Sequence, residues 1–83
     1  YRYENKEREQ RRKEYEADPD SLANVLALTL SMRGEGTISE AAWEKIQAPI
    51  GQIEEQWGRQ EISRQEYETG IISLLKSVWG TEK

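Results

Sequence analysis

Cysteine and histidine are both absent from this chain of 83 residues, and phenylalanine is absent as well. Without cysteine the chain can form no disulfide, so it does not resemble the small disulfide-stapled scaffolds of secreted proteins. Without histidine it lacks the commonest general base, and the two absences together leave no zinc site of the usual kind. We therefore expect a protein that is not an enzyme and that binds no cofactor or metal.

Long apolar runs are also missing, since none approaches the roughly 20 residues that a membrane span requires. The first residues do not form a signal peptide, which favours a cytoplasmic protein. The net charge is −4, so the chain as a whole does not favour nucleic acid as its partner. We expect the partner to be another protein or a second copy of this one, and we expect no small-molecule substrate.

A stripe of large apolar residues in the middle of the chain is the strongest structural signal. Its members are separated alternately by three and four positions: Trp43, Ile46, Ile50, Ile53 and Trp57. Only an α-helix places such residues on one side. Pro49 lies inside the stripe next to Gly51, and an interior proline predicts a kink or a break near Ala48.

Residues 1–17 are strongly charged and contain no heptad repeat, which predicts a solvated helical arm rather than a coiled coil. This arm would project from the domain or lie on it through Tyr15. Because Pro19 disfavours helical geometry in the residue before it, the first helix should end near Ala17. Asp18 would then cap the next helix, with Pro19 at its first position.

The sequence pattern of residues 18–83 predicts a compact bundle of three or four short helices, so the expected fold class is all-α. The first helix of the bundle should run to about Arg33, and Gly34 and Gly36 should end it. It is apolar nearly all round, which predicts that it is the central and most covered helix.

Two serines should start the remaining helices as N-caps. Ser39 would cap the apolar stripe, and Ser63 would form a capping box with Glu66, because a hydroxyl and a carboxylate three positions apart can satisfy each other's backbone N–H groups. The last helix should run to about Trp79, and Gly80 should end it.

The segment between the second and third predicted helices carries a turn glycine at Gly36, an apolar residue at Ile38 and an aromatic residue at Trp43. In this spacing it resembles the loop and exiting helix of an EF-hand, which implies calcium coordination by loop oxygens. Arg33 and Ala42 stand where that family places ligands, so we expect no calcium binding. A glycine turn followed by an N-capped helix accounts for the same residues.

The last third of the chain combines an apolar helix ending at Trp57, a polar turn, Ile62-Ser63, the acidic–aromatic pair Glu66-Tyr67 and a leucine-rich helix. This order is similar to the short helical hairpin at the C-terminus of many bacterial proteins, the SHOCT-like domain. The resemblance implies a role in oligomerisation or docking.

Basic residues are concentrated near the start of the chain. Between Arg2 and Lys13 there are six basic and three acidic residues, a net charge of +3. Arg8, Arg11 and Arg12 are therefore candidates for contact with phosphate groups on nucleic acid or on an anionic membrane surface. The interleaved glutamates oppose such binding, and a solvated helix face explains the same pattern.

The three tryptophans differ in their expected surroundings. Trp43 stands at a staple position with Ile38, which predicts a core residue. Trp57 and Trp79 each precede a glycine at a helix end, where a ring can lie half out of the core and anchor a partner. On this interpretation Trp43→Ala should be more destabilising than either of the other two substitutions to alanine.

These observations favour a non-enzymatic protein–protein interaction or assembly module, self-association included. The alternative is an adaptor that uses its basic N-terminal helix on nucleic acid or on an anionic membrane surface. A calcium-responsive module of the EF-hand type ranks third, because the residues at its ligand positions do not match.

Overall fold

The computed structural model describes the backbone of residues 2–81 and the side chains of residue 6 and residues 9–81. Its backbone forms four α-helices: Arg2–Ala17 (α1), Leu22–Gly34 (α2), Glu40–Gly58 (α3) and Arg64–Ser77 (α4). No strand occurs within residues 2–81. The predicted all-α fold, a small helical bundle, is therefore confirmed.

The helices pack in a spatial order that differs from their order along the chain. α1 packs on α2, α2 packs on α4, and α4 packs on α3. The Cα atoms extend over 44 × 29 × 15 Å, so the bundle is flattened. By the packing order of the helices, α2 and α4 lie in the middle of the bundle, and α1 and α3 form its edges.

The core lies where α2 and α4 meet, with contributions from the α2–α3 turn and the first half of α3. Its buried apolar residues are Val25, Leu28, Ile38, Ile46, Ile71, Leu75 and Val78. Thr29 is fully buried among them. Its hydroxyl donates to the Val25 carbonyl at 2.7 Å and accepts from Trp79 Nε1 at 2.9 Å, so this buried polar group is satisfied.

The junction between α1 and α2 corrects one prediction. α1 ends at Ala17 as expected, but Asp18 does not cap α2. Asp18-Pro19-Asp20 forms a turn, which the Ser21 N–H closes by donating to the Asp18 carbonyl at 3.2 Å. Ser21 is the actual N-cap, and its hydroxyl accepts from the Asn24 N–H at 3.4 Å. Turn formation at the proline therefore prevailed over early helix initiation.

The predicted break at Pro49 does not occur, because α3 is continuous from Glu40 to Gly58. Ile46 is buried before the proline, and Ile50 and Ile53 pack against the core after it. Packing on both sides thus holds the helical path through a residue of poor helix propensity. The carbonyl that loses its donor belongs to Lys45, an exposed residue, so water can satisfy it.

Both predicted serine caps are confirmed. The Ser39 hydroxyl accepts from the Ala42 N–H at 3.1 Å. In the capping box of α4, the Ser63 hydroxyl accepts from the Glu66 N–H at 3.1 Å and the Glu66 carboxylate accepts from the Ser63 N–H at 3.0 Å. Hydrogen bonds from the Ser63 backbone and side chain hold the pKa of Glu66 below its usual value. α4 ends at Ser77, slightly before the predicted Trp79, and turns follow up to Gly80.

Gly51 inside α3 and Gly70 inside α4 have different surroundings, and we expect different results when each is replaced by alanine. A Cβ at Gly51 would meet no atom within 4 Å, so Gly51→Ala should raise the free energy of unfolding by about 0.5–1 kcal/mol through helix propensity. A Cβ at Gly70 would lie 3.0 Å from Ile53 Cδ1, so Gly70→Ala should gain little or destabilise. Denaturant unfolding measures both, and equal gains would contradict a close α3–α4 approach.

Candidate interaction surfaces

The end of α3 and the start of α4 carry a stacked pair of aromatic rings, one exposed and one half-buried. Trp57 stacks on Tyr67 with ring centroids 5.2 Å apart and an interplanar angle of 26°. The Trp57 side chain remains 40% exposed, whereas Tyr67 is half-buried and packs against the core. We call Trp57 and Tyr67 the aromatic platform. The prediction that Trp57 lies partly outside the core is confirmed, and its stacking partner was not foreseen.

A tight turn sets the position of the platform. The Gln60 N–H donates to the Trp57 carbonyl at 3.0 Å, and the Glu61 N–H donates to the Gln56 carbonyl at 2.8 Å. Gln60 adopts a positive φ of 62°, a conformation that usually favours glycine. This turn ends α3 and directs the chain into the capping box at Ser63, so that the Trp57 and Tyr67 rings meet.

Trp79 occupies a different environment, at the other end of α4. Its ring packs edge-on against Tyr15 of α1, with centroids 5.3 Å apart, and its Nε1 donates to the buried Thr29 of α2. The Lys76 ammonium lies 5.2 Å from the centroid of the Tyr15 ring. The side chain is half-buried, as its place at a helix end predicted, and it joins three helices inside the fold. Its indole N–H is already hydrogen-bonded within the fold.

Trp43 was expected inside the core and is only half-buried, although it packs against the core. The Arg33 guanidinium lies 5.0 Å from the centroid of its ring and also pairs with Glu40 at 3.3 Å. The ring sits in the first turn of α3, an edge helix whose backbone approaches that of α4 and of no other described helix. The long cationic side chain of Arg33, near the end of α2, therefore covers one face of the ring.

The basic residues of α1 are largely solvated where their side chains are described. Lys6, Arg12 and Lys13 are exposed, and Arg11 is half-buried. The side chain of Arg8, the remaining predicted candidate, lies outside the described residues. Arg12 Nε lies 4.0 Å from Glu16 Oε2, with 66% and 63% of the two side chains exposed. Such exposed pairs are weak, so Arg12 stays accessible to a partner.

The segment that resembles an EF-hand loop is a turn in which two hydroxyl groups are already engaged. Gly36 has a φ of +80°, and the Thr37 hydroxyl donates to the Met32 carbonyl at 2.8 Å. The Ser39 hydroxyl caps α3. Within the described residues, no group of three or more acidic side chains is placed to hold a metal ion.

Two exposed leucines on α2 were missed by the sequence interpretation. Leu26 is 40% exposed and Leu30 is 49% exposed, and their spacing of four places them on one side of the helix. α2 was expected to be covered all round, but α1 and α4 leave this side open. The length of the chain could have indicated this exposure, because a small chain cannot cover every side of an apolar helix.

An open groove of about 420 Å³ runs along the start of α4 and is lined by Ser63, Gln65, Glu66, Thr69 and Gly70. The Ser63 and Glu66 side chains in it are already bonded to each other's backbone N–H groups. Gln65 and Thr69 are the remaining polar side chains of the groove.

Exposed apolar and aromatic side chains, together with the solvated cations of α1, are thus the main surface features of the part that is described. None of the described helices is long and apolar enough to cross a membrane. No family model, curated protein or solved structure matches the chain.

Proposed function

We propose that this chain is a non-enzymatic protein–protein interaction or assembly module and that the aromatic platform is its contact surface. The exposure of Trp57 carries the proposal, because a large aromatic side chain that is 40% exposed retains apolar area that a partner could cover. Tryptophan and tyrosine are enriched among the residues that dominate the binding energy of interfaces.

The geometry of the platform supports this role. Trp57 is held on Tyr67 by stacking at 5.2 Å, and Tyr67 is in turn packed against the core. A partner would therefore bind a ring that is already positioned and would lose less side-chain entropy on binding. The lack of histidine and cysteine favours a binding role over a catalytic one.

The test compares Trp57→Ala with Leu30→Ala, a matched control that removes an exposed apolar side chain from another surface. We expect Trp57→Ala to weaken self-association or partner binding by about 30-fold or more, as loss of a residue that dominates an interface does. Leu30→Ala should leave both unchanged. Sedimentation across protein concentration measures self-association, and affinity capture with mass spectrometry measures partner binding.

Thermal melts of both variants must accompany these measurements, so that a binding defect is not confused with unfolding. If Trp57→Ala keeps its fold and alters neither size nor capture, the platform is not the contact surface.

The second candidate function is an adaptor that binds nucleic acid or an anionic membrane surface through α1. The exposure of Lys6, Arg12 and Lys13 favours it. Binding of this kind should fall steeply with salt and should require the arginines at positions 8, 11 and 12. Fluorescence anisotropy with DNA or RNA and sedimentation with anionic vesicles distinguish the two targets.

A further inference from the structure

We propose that the aromatic platform receives the exposed basic side chains of α1 from a second copy of this chain, so that the copies associate head to tail. This inference rests on the proposed function, because it names the partner of the same platform. Three observations support the inference: the charges around the platform, the charges on α1, and the positions of the two surfaces in one molecule.

The platform lies in an acidic part of the chain. Residues 54–68 contain five acidic and two basic residues, a net charge of −3. Glu54 lies one turn before Trp57 on α3, and Glu61 follows in the adjoining turn, both exposed. Arg64, one of the two basic residues, already pairs with Glu68 at 3.7 Å. A partner for this surface should therefore be basic.

α1 supplies the opposite charge. Residues 2–13 carry a net charge of +3, and Lys6, Arg12 and Lys13 are exposed on the helix. The helix backbone is formed from Arg2 to Ala17, so these cations are presented on an ordered element. A preformed helix loses less conformational entropy on binding than a disordered basic segment would.

The two surfaces lie far apart in one molecule. α1 approaches α4 through Tyr15, next to Trp79 and Lys76 at the C-terminal end of α4. The platform is at the N-terminal end of α4, which has 14 residues and is therefore about 21 Å long. Along the rest of its length α1 packs on α2, on the opposite edge of the bundle from α3. The complementary surfaces can therefore meet between copies.

The contact we infer has two counterparts inside the fold. Arg33 lies over the ring of Trp43 at 5.0 Å, and Lys76 lies over the ring of Tyr15 at 5.2 Å. A cation above an exposed aromatic ring is worth about 0.5–1 kcal/mol, and more when the partner excludes water. Arg12 or Lys13 of one copy over Trp57 of the next would repeat this geometry, with Glu54 and Glu61 beside it.

A head-to-tail contact joins two different surfaces, so a pair of copies joined by one contact keeps one free platform and one free α1. Species larger than a dimer should therefore appear as the concentration rises, unless a ring closes. The expected association is weakened by salt, because the charges at the rim of the contact are exposed.

The test is a charge exchange between two double variants. One variant carries Arg12→Glu and Lys13→Glu on α1, and the other carries Glu54→Lys and Glu61→Lys beside the platform. All four side chains are exposed, so circular dichroism and melting should match the unaltered chain. We expect each variant alone to associate at least about tenfold more weakly than the unaltered chain in sedimentation experiments. High salt should weaken the association of the unaltered chain in the same way.

A mixture of the two variants should recover the association, because each then offers a surface that is complementary to the other. Failure of the mixture to recover would overturn the inference. So would association that strengthens with salt and disappears in Leu30→Ser, since that places the contact on α2.

The outcomes also separate this inference from the proposed function. A chain that stays monomeric at every concentration, yet captures another protein through Trp57, overturns self-association and leaves the interaction module standing. If Trp57→Ala affects neither self-association nor capture, both proposals fail.

Discussion

Replacing Trp79 with alanine should lower the free energy of unfolding by about 3–5 kcal/mol, as loss of a large packed aromatic side chain does. The ring contacts Tyr15 of α1 edge-on and donates to the buried hydroxyl of Thr29 in α2. Its removal leaves a cavity at the junction of three helices. Since folded proteins have only about 5–15 kcal/mol of total stability, the variant should lose a large share of it. Denaturant unfolding with circular dichroism measures the change.

Two controls separate the parts of this effect. Trp79→Phe keeps an aromatic ring but removes the hydrogen bond to Thr29, so it should cost about 0.5–1.5 kcal/mol from that bond in addition to any repacking. Trp43→Ala should cost less than Trp79→Ala, because Trp43 is covered on one side by a flexible arginine, whereas Trp79 donates a hydrogen bond to buried Thr29. The reverse order would restore the ranking predicted from the sequence and would contradict a structural role for the Trp79 junction.

Leu75→Ala should cost about 2–5 kcal/mol, because Leu75 is only 1% exposed and lies in the core formed by α2 and α4. Leu30→Ala is its matched control, since it removes the same atoms from a side chain that is 49% exposed. The control should change stability by less than about 1 kcal/mol, as expected for a surface position.

Chemical denaturation of both leucine variants measures these changes. The slope of the free energy of unfolding against denaturant concentration should be compared between the two variants. Similar losses for Leu75→Ala and Leu30→Ala would mean that Leu30 is covered in solution. That result would indicate a contact on the open side of α2.

Features that depend on a few neighbouring residues could be predicted from the sequence. The caps at Ser39 and Ser63 follow from local hydrogen bonds between a hydroxyl and N–H groups three positions away. The prediction that Asp18 caps α2 was wrong for a local reason too, because the same residues also fit a turn, and that turn delays the start of the helix to Leu22. Two local solutions competed there, and the residues alone did not decide between them.

Features that depend on contacts between distant elements could not be predicted. The bond between Trp79 and Thr29 joins residues separated by 50 positions, and nothing in the local pattern pairs them. The exposure of Leu26 and Leu30 depends on which sides of α2 its neighbours cover. For the candidate site, the place of Trp57 at a helix end indicated partial exposure, whereas its stacking on Tyr67 depends on how α3 aligns with α4.

The spatial order of the helices, with α2 against α4, has a consequence for the folding kinetics. α1 with α2 and α3 with α4 are hairpins of sequence neighbours, whose contacts close quickly because they span little chain. Docking of the hairpins through α2 and α4 is the non-local step, because contacts such as Thr29–Trp79 form only then. The rate of folding should therefore respond to substitutions at Leu75 and Thr29, whereas substitutions along the outer side of α1 should leave it unchanged.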